Sequence, residues 1–236
     1  MTKVPQAGRV KTRLTPPLTA EEAAALNTCF LRDTATAISR ATVNGKAQGV
    51  GIYTPVGCEA AYSDILPEDF ILVPQREGEF GERLLAATED LLRLGFESVC
   101  LIDSDSPTVS DTVFAQAAEL LSGPEDCVVL GPSDDGGYYL IGLKKPHRRL
   151  FEQIDWSTER VLEQTVAAAR EIDLPVHLLP TCFDVDDRAT LARLCQELVG
   201  AKGNANIEAA PATHEFLARL LEREDRGRIW PNESSS

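Results

Sequence analysis

The chain has 236 residues, 43% of them hydrophobic and 25% charged, and 37 acidic side chains against 23 basic ones leave a net charge of −14. That length and balance suit one α/β domain, or one with a small appendage, and give enough apolar matter for a sizeable core. A polyanion such as nucleic acid is excluded as partner by the acidity; no apolar run nears the roughly 20 residues that cross a bilayer, and no charged-then-apolar leader opens the chain, so a cytoplasmic protein without a membrane partner is expected.

Met1 to Pro17 read as loop, with no convincing strand, where a doubly wound nucleotide fold normally opens on a central strand. The first central strand is therefore expected to be missing, through an absent segment or a start codon set late. Thr19 with Glu22 forms a capping box and predicts a helix to about Ile38. Gly49–Thr54 and Phe70–Val73 read as strands, and Phe80–Leu94 as an amphipathic helix stopped by Gly95. The apolar run Ser98–Ile102 predicts a buried strand that ends in Asp103 and Asp105. Ser110 predicts a helix cap, Cys127–Leu130 and Tyr138–Leu143 two strands, and Ser157 the cap of a helix to about Ile172. Val176–Leu179 reads as a strand, Ala189–Leu198 as a helix. This alternation predicts a mostly parallel sheet with helices on both faces. Residues 1–200 are read as that domain, and residues 201–236 as linker, a short helix near Ala212–Arg223 and a disordered tail from Asn232.

The six cysteines include no CxxC pair, and the three histidines have no partner at metal-ligand spacing. Buried thiols acting as small apolar side chains are the simpler account. Chemistry is expected elsewhere. Residues 1–20 carry Lys3, Arg9, Lys11 and Arg13, and their acids are absent until Glu21. Such local positive charge suits a di- or triphosphate, with Gly8 allowing close backbone approach, though a flexible basic arm explains it equally well. It is not a Walker loop, because GxxxxGK[ST] is missing. Two acidic groups, Asp103/Asp105 and Asp184/Asp186/Asp187, each follow an apolar strand. In open α/β sheets ligands bind beyond the carboxyl ends of strands, and carboxylate oxygens there suit Mg²⁺ or Mn²⁺; the simpler alternative is helix capping. The loop Gly131–Tyr139, with Asp134, Asp135, Gly136 and Gly137, reads as a hairpin turn or as an acceptor-pocket wall. Trp156-Ser157-Thr158 is core and cap, or pocket lining; Gly81, Glu82 and Arg83 are a plain loop, or a seat for base and ribose.

Taken together, Gly8-Arg9-Val10-Lys11-Thr12-Arg13-Leu14, Gly81-Glu82-Arg83, Ser104-Asp105-Ser106-Pro107, Gly131–Tyr139, Trp156-Ser157-Thr158 and Phe183-Asp184-Val185-Asp186 resemble one family. It comprises bacterial glycosyltransferase-A-like proteins often labelled arsenosugar-biosynthesis glycosyltransferases, similar to phospholactate guanylyltransferases and molybdenum-cofactor guanylyltransferases. The resemblance spans about residues 5–200. It implies a nucleotide-diphospho-sugar transferase fold (GT-A, Rossmann-like). It implies donor phosphates on Lys11 and Arg13, and a divalent ion, Mg²⁺ or Mn²⁺, on Asp105, Asp184 and Asp186. Asp103 stands where relatives often have glycine, and no role is carried to it.

The expectation is a metal-dependent transferase using a nucleotide or nucleotide-sugar donor and an unknown small-molecule acceptor. Lys11, Arg13 and Asp105 are the catalytic candidates, and Gly8, Arg9, Lys11, Arg13, Gly81, Glu82 and Arg83 bind nucleotide. Asp134, Asp135, Gly136, Gly137, Trp156, Ser157 and Thr158 bind acceptor. Glycosyl transfer leads; nucleotidyl transfer with pyrophosphate release, and nucleotide binding without turnover, are the alternatives. A homodimer is compatible with these features.

Overall fold

The computed structural model describes residues 1–41, 47–200, 207–223 and 226–229. Helix α1 (Ala20–Ala41) opens on the expected capping box: the Thr19 amide donates to Glu22 Oε2 at 2.7 Å and the Glu22 amide to Thr19 Oγ1 at 3.1 Å. Strands β1 (Thr2–Lys3), β2 (Val50–Thr54) and β3 (Ile71–Pro74) form a parallel sheet in that spatial order. Strands β4 (Val99–Ile102), β5 (Val128–Pro132), β6 (Tyr138–Leu143) and β7 (Val176–Leu178) form a second sheet, ordered β4-β6-β5-β7. β6 runs antiparallel to both neighbours, whereas β5 and β7 are parallel. The tight turn after Pro132 forces this: a loop that short can only fold the chain back beside itself.

The first strand is not wholly missing. Two residues form it as β1, with Thr2 opposite Tyr53 and Lys3 opposite Thr54. Two residues are too few to show a period, which hid them in the sequence. The Met1 ammonium donates to the Ile102 carbonyl at 2.6 Å, so β1 meets the end of β4 and joins the two sheets.

Side-chain alternation divides the core between the faces of the second sheet. Val128, Leu130, Ile141 and Leu143 pack with Leu84, Leu91 and Ala168 from α2 (Phe80–Arg93) and α4 (Val161–Glu171). Val129 and Leu140 pack the other way, with Phe114, Ala117 and Leu121 of α3 (Asp111–Ser122). A further cluster joins Leu26 and Phe30 of α1 to Leu191 and Leu194 of α5 (Arg188–Val199), Leu217 and Leu220 of α6 (Pro211–Arg223) and Ile229 of α7 (Arg226–Ile229). α6 is fixed by a remote cap: buried Asp33 of α1 accepts the Ala212 and Thr213 amides at 2.9 and 2.8 Å. The expected linker falls largely, and the tail from Asn232 wholly, outside the described residues. Among the described residues no helix is long and apolar enough to cross a membrane.

Ser157 does not cap α4. It takes a left-handed conformation (φ 64°), and the helix starts at Val161. Trp156, packed edge-on against Phe80 and Tyr138 with ring centroids 5.0 and 6.5 Å away, spends those residues on a turn.

Candidate active site

The basic loop is anchored from below. Leu14 is fully buried in the α1–α5–α6 cluster, and its amide closes a short 3₁₀ turn on the Lys11 carbonyl at 3.0 Å. Gly8 and Lys11 both adopt positive φ, 71° and 47°. Glycine does so freely; lysine needs compensation. Lys11 finds it in three acceptors: Asp105 Oδ1 at 2.8 Å, Asp186 Oδ1 at 3.0 Å and the Val185 carbonyl at 2.9 Å. Burial would pull the Lys11 ammonium down, but Asp105 and Asp186 outweigh it and hold its pKa above the usual lysine value. Arg13 extends the pairing with Nη2 3.1 Å from Asp186 Oδ2, while its side chain stays 77% exposed.

The acidic groups sit where two separate chain segments end together. β4 stops at Ile102; the Asp105 amide then donates to Asp103 Oδ1 at 3.0 Å, and the Asp105 carbonyl accepts the Val185 amide at 2.9 Å. Ser106 Oγ donates to Asp184 Oδ1 at 2.5 Å. Burial raises the Asp184 carboxyl to about 6, and the charges of Asp135, Asp105 and Asp186 add to the shift. Burial likewise raises Asp103 well above the carboxylate range, with Asp184 and Asp105 adding to it. Asp187 is the member that caps a helix: its Oδ1 accepts the Thr190 amide at 2.8 Å and starts α5. Capping thus explains Asp187 and leaves Asp184 and Asp186 to the site.

Between loop and acids lies a cleft of about 270 Å³, lined by Lys3, Arg9, Lys11, Arg13, Asp105 and Asp186 among others. Ser104 and Asn27 also line it. Asn27 was missed in the sequence, yet it carried a signal: an amide within the buried stripe of α1, only 5% exposed. The site therefore unites Arg9, Lys11, Arg13, Asp105 and Asp186. Among the described residues no three His, Cys, Asp or Glu side chains stand grouped to hold a metal ion. The expected cage of Asp105, Asp184 and Asp186 is not assembled, because the Lys11 ammonium holds two of them and Ser106 holds the third.

Gly81, Glu82 and Arg83 do not line this cleft. Glu82 closes a capping box at Glu79, whose amide donates to its Oε2 at 2.9 Å. A Cβ on Gly81 would lie 2.6 Å from both the Phe151 carbonyl and Trp156 Nε1, so this glycine admits the indole. Arg83 lies over the Phe80 ring at 5.4 Å. In the turn after β5, Asp134 pairs with Arg193, and Asp135 Oδ1 accepts the Gly137 amide at 2.8 Å. Gly136 (φ 91°) has room for no side chain, since a Cβ would sit 2.1 Å from the Glu159 carbonyl oxygen. Thr158 Oγ1 donates to the Asp155 carbonyl at 2.7 Å. Tyr139 is core, 1% exposed.

Sheets packed between helices, with acids and a basic loop brought to one cleft, make this an α/β protein, and its fold is that of the nucleotide-diphospho-sugar transferases. A Desulfovibrio desulfuricans G20 protein, whose crystal structure is described as that of a putative nucleotide-diphospho-sugar transferase, superposes with a TM-score of 0.80 at 27% identity, covering 94% of this chain and 92% of that one. The mannosyltransferase PcManGT from Pyrobaculum calidifontis, solved with GDP-Man and Mn²⁺, gives a TM-score of 0.37 at 16% identity over 81% of this chain and 73% of that one, a likeness too loose to bear on the site. No curated protein matches the chain. Residues 37–158 match DUF2064, a family described as uncharacterized protein conserved in bacteria, and the chain belongs to that family.

Proposed function

We propose that the protein is a transferase that takes a nucleotide-diphospho-sugar into the Lys11–Asp105–Asp186 cleft and passes its glycosyl group to a small-molecule acceptor. One observation carries the reading: Lys3 of β1 and Arg9, Lys11 and Arg13 of the loop after it line one cleft of about 270 Å³ together with Asp105, from beyond β4, and Asp186, from the segment ahead of α5. Lys11 and Arg13 bind the donor diphosphate and oppose the negative charge that builds on it as the glycosyl bond breaks. Asp103, through the Asp105 amide, fixes the turn that aims Asp105 into the cleft. Asp135, whose charge reaches Asp184, supports taking the 133–137 turn as the acceptor side, and Trp156, Ser157 and Thr158 are assigned to it on the same reading. No protein nucleophile is required.

The donor set fits Mg²⁺ or Mn²⁺ in its chemistry once Lys11 and Ser106 release it. Asp105, Asp184 and Asp186 offer hard oxygens; burial is the main cause of the raised Asp184 pKa, and a cation would relieve the smaller part that Asp135, Asp105 and Asp186 add. Bound there, the ion would supply electrostatic neutralisation of the leaving diphosphate.

A second reading, nucleotidyl transfer with pyrophosphate release, is favoured by the number of cations, since Lys3, Arg9, Lys11 and Arg13 suit a triphosphate as well. Incubation with Mg²⁺, a panel of nucleotide-sugars and the nucleoside triphosphates separates the two. Release of a nucleoside diphosphate from a nucleotide-sugar supports glycosyl transfer, and pyrophosphate release replaces it with the second reading. Asp105→Asn is expected to lower turnover by roughly a hundredfold or more. Turnover of no donor by the wild type overturns both.

A further inference from the structure

An ammonium has three N–H bonds, and Lys11 has three acceptors, all within 3.0 Å, with its side chain 4% exposed. Two of these acceptors are carboxylates from different segments, and the third is a backbone carbonyl. Those are the donor types that a hard divalent cation takes. The ammonium thus already stands between Asp105 and Asp186. A divalent ion bridging the pair would meet a positive charge at contact distance.

We infer that Lys11 is a tethered counter-ion: ammonium and divalent ion exclude one another from Asp105 and Asp186, and donor phosphate admits the ion by drawing Lys11 away. This rests on the donor-site reading above. Release is short-range, because Lys11 itself lines the cleft beside Lys3, Arg9 and Arg13. It is also eased by the backbone. Lys11 holds φ 47°, a conformation disfavoured for a residue with a Cβ, and the three side-chain contacts help to offset its cost beside the turn that Leu14 closes. The consequence is thermodynamic coupling. The ion alone must displace Lys11 with nothing to receive it, and the nucleotide alone must take Lys11 from two carboxylates left facing each other. Together each supplies what the other removes, so each raises the other's affinity by the same factor.

Lys11→Met removes the charge and keeps the length. Mn²⁺ is titrated without nucleotide into wild type and variant, the free ion being followed by electron paramagnetic resonance. The variant is expected to bind Mn²⁺ at least tenfold more tightly than wild type. Its melting temperature should be lower without Mn²⁺ and rise further on adding it. In wild type, GDP or UDP should tighten Mn²⁺ binding, after correction for ion held by free nucleotide; in the variant this coupling should shrink. Lys11→Gln serves as a second neutral variant if the first fails to fold. If wild type binds Mn²⁺ with nucleotide but both neutral variants bind Mn²⁺ alone no better than wild type, the tethered counter-ion is wrong and the donor site stands. If no form binds Mn²⁺ under any condition, both fall. Tighter Mn²⁺ binding by the variant in a protein that neither binds nor turns over a donor would support the exclusion of ion by ammonium, but would reject release by donor phosphate together with the transferase.

Discussion

Replacing Asp33 tests how α6 is held to α1. The Asp33 side chain is 2% exposed and receives two amides from the first turn of α6, at 2.9 and 2.8 Å. Asp33→Ala strands both donors at the start of a packed helix. Losing a helix cap costs about 0.5–2 kcal/mol and leaving a buried donor unmet about 1–3 kcal/mol, so a loss near 3 kcal/mol is reasonable. For a chain of this size that is a fall in melting temperature of about 6–12 °C. Asp33→Asn keeps a carbonyl oxygen for one amide and sheds the charge, and should lose about 1 kcal/mol. Its deficit should also depend on pH. Burial raises the Asp33 carboxyl, outweighing the hydrogen bonds to Ala212 and Thr213. The folded state therefore keeps its proton above the unfolded value near 3.9, and wild-type stability falls as pH rises from there through the folded pKa. Asn has no such titration, so its deficit should narrow over that window and stay narrowed above it. Differential scanning calorimetry from pH 4 to 8 reads both effects. Equal melting temperatures for wild type and Asp33→Ala at pH 7 would refute the remote cap.

Gly81→Ala should destabilise by about 1–3 kcal/mol, since its Cβ would meet a backbone carbonyl and the Trp156 indole. Loss of nucleotide affinity with an unchanged melting temperature would instead return Gly81 to the donor site. Asp187→Ala should cost about 1 kcal/mol at neutral pH through loss of the α5 cap, read by urea denaturation. The Thr190 amide lowers the Asp187 pKa, so this contribution is complete above about pH 4 and is lost as pH falls through the lowered folded value. A gap between wild type and variant that persists unchanged to pH 2 would contradict the assignment.

What was legible in the sequence was whatever depends on neighbours along the chain. The Thr19–Glu22 box needs only three residues of separation, and Tyr138–Leu143 follows a glycine turn, so both were placed as found. The antiparallel course of β6 was not, because strand direction is a property of pairing. Lys11 and Asp186 were picked by residue type, yet their contact joins positions 175 apart and could only be seen once the fold closed. Ser157 shows the limit of local rules: serine ahead of a helical run is a good cap, but Trp156 packing on Phe80 decided the backbone there.

The net charge of −14 raises the question of how such a chain attracts an anionic donor. The site itself answers in local terms. Asp103, Asp105, Asp135, Asp184 and Asp186 lie close enough to perturb one another, and Lys3, Arg9, Lys11 and Arg13 line the adjoining cleft, so at full ionisation the two sides nearly cancel. An ion entering alone shifts that sum by its own two positive charges, and a nucleoside diphosphate entering alone shifts it further the other way. An ion–diphosphate pair changes the sum least. In a partly buried cleft, where charges are weakly screened, that near-neutrality favours joint entry over either species singly. Two acidic segments beside a lysine–arginine loop thus make physical sense as one unit, each half bearable only because the other is there.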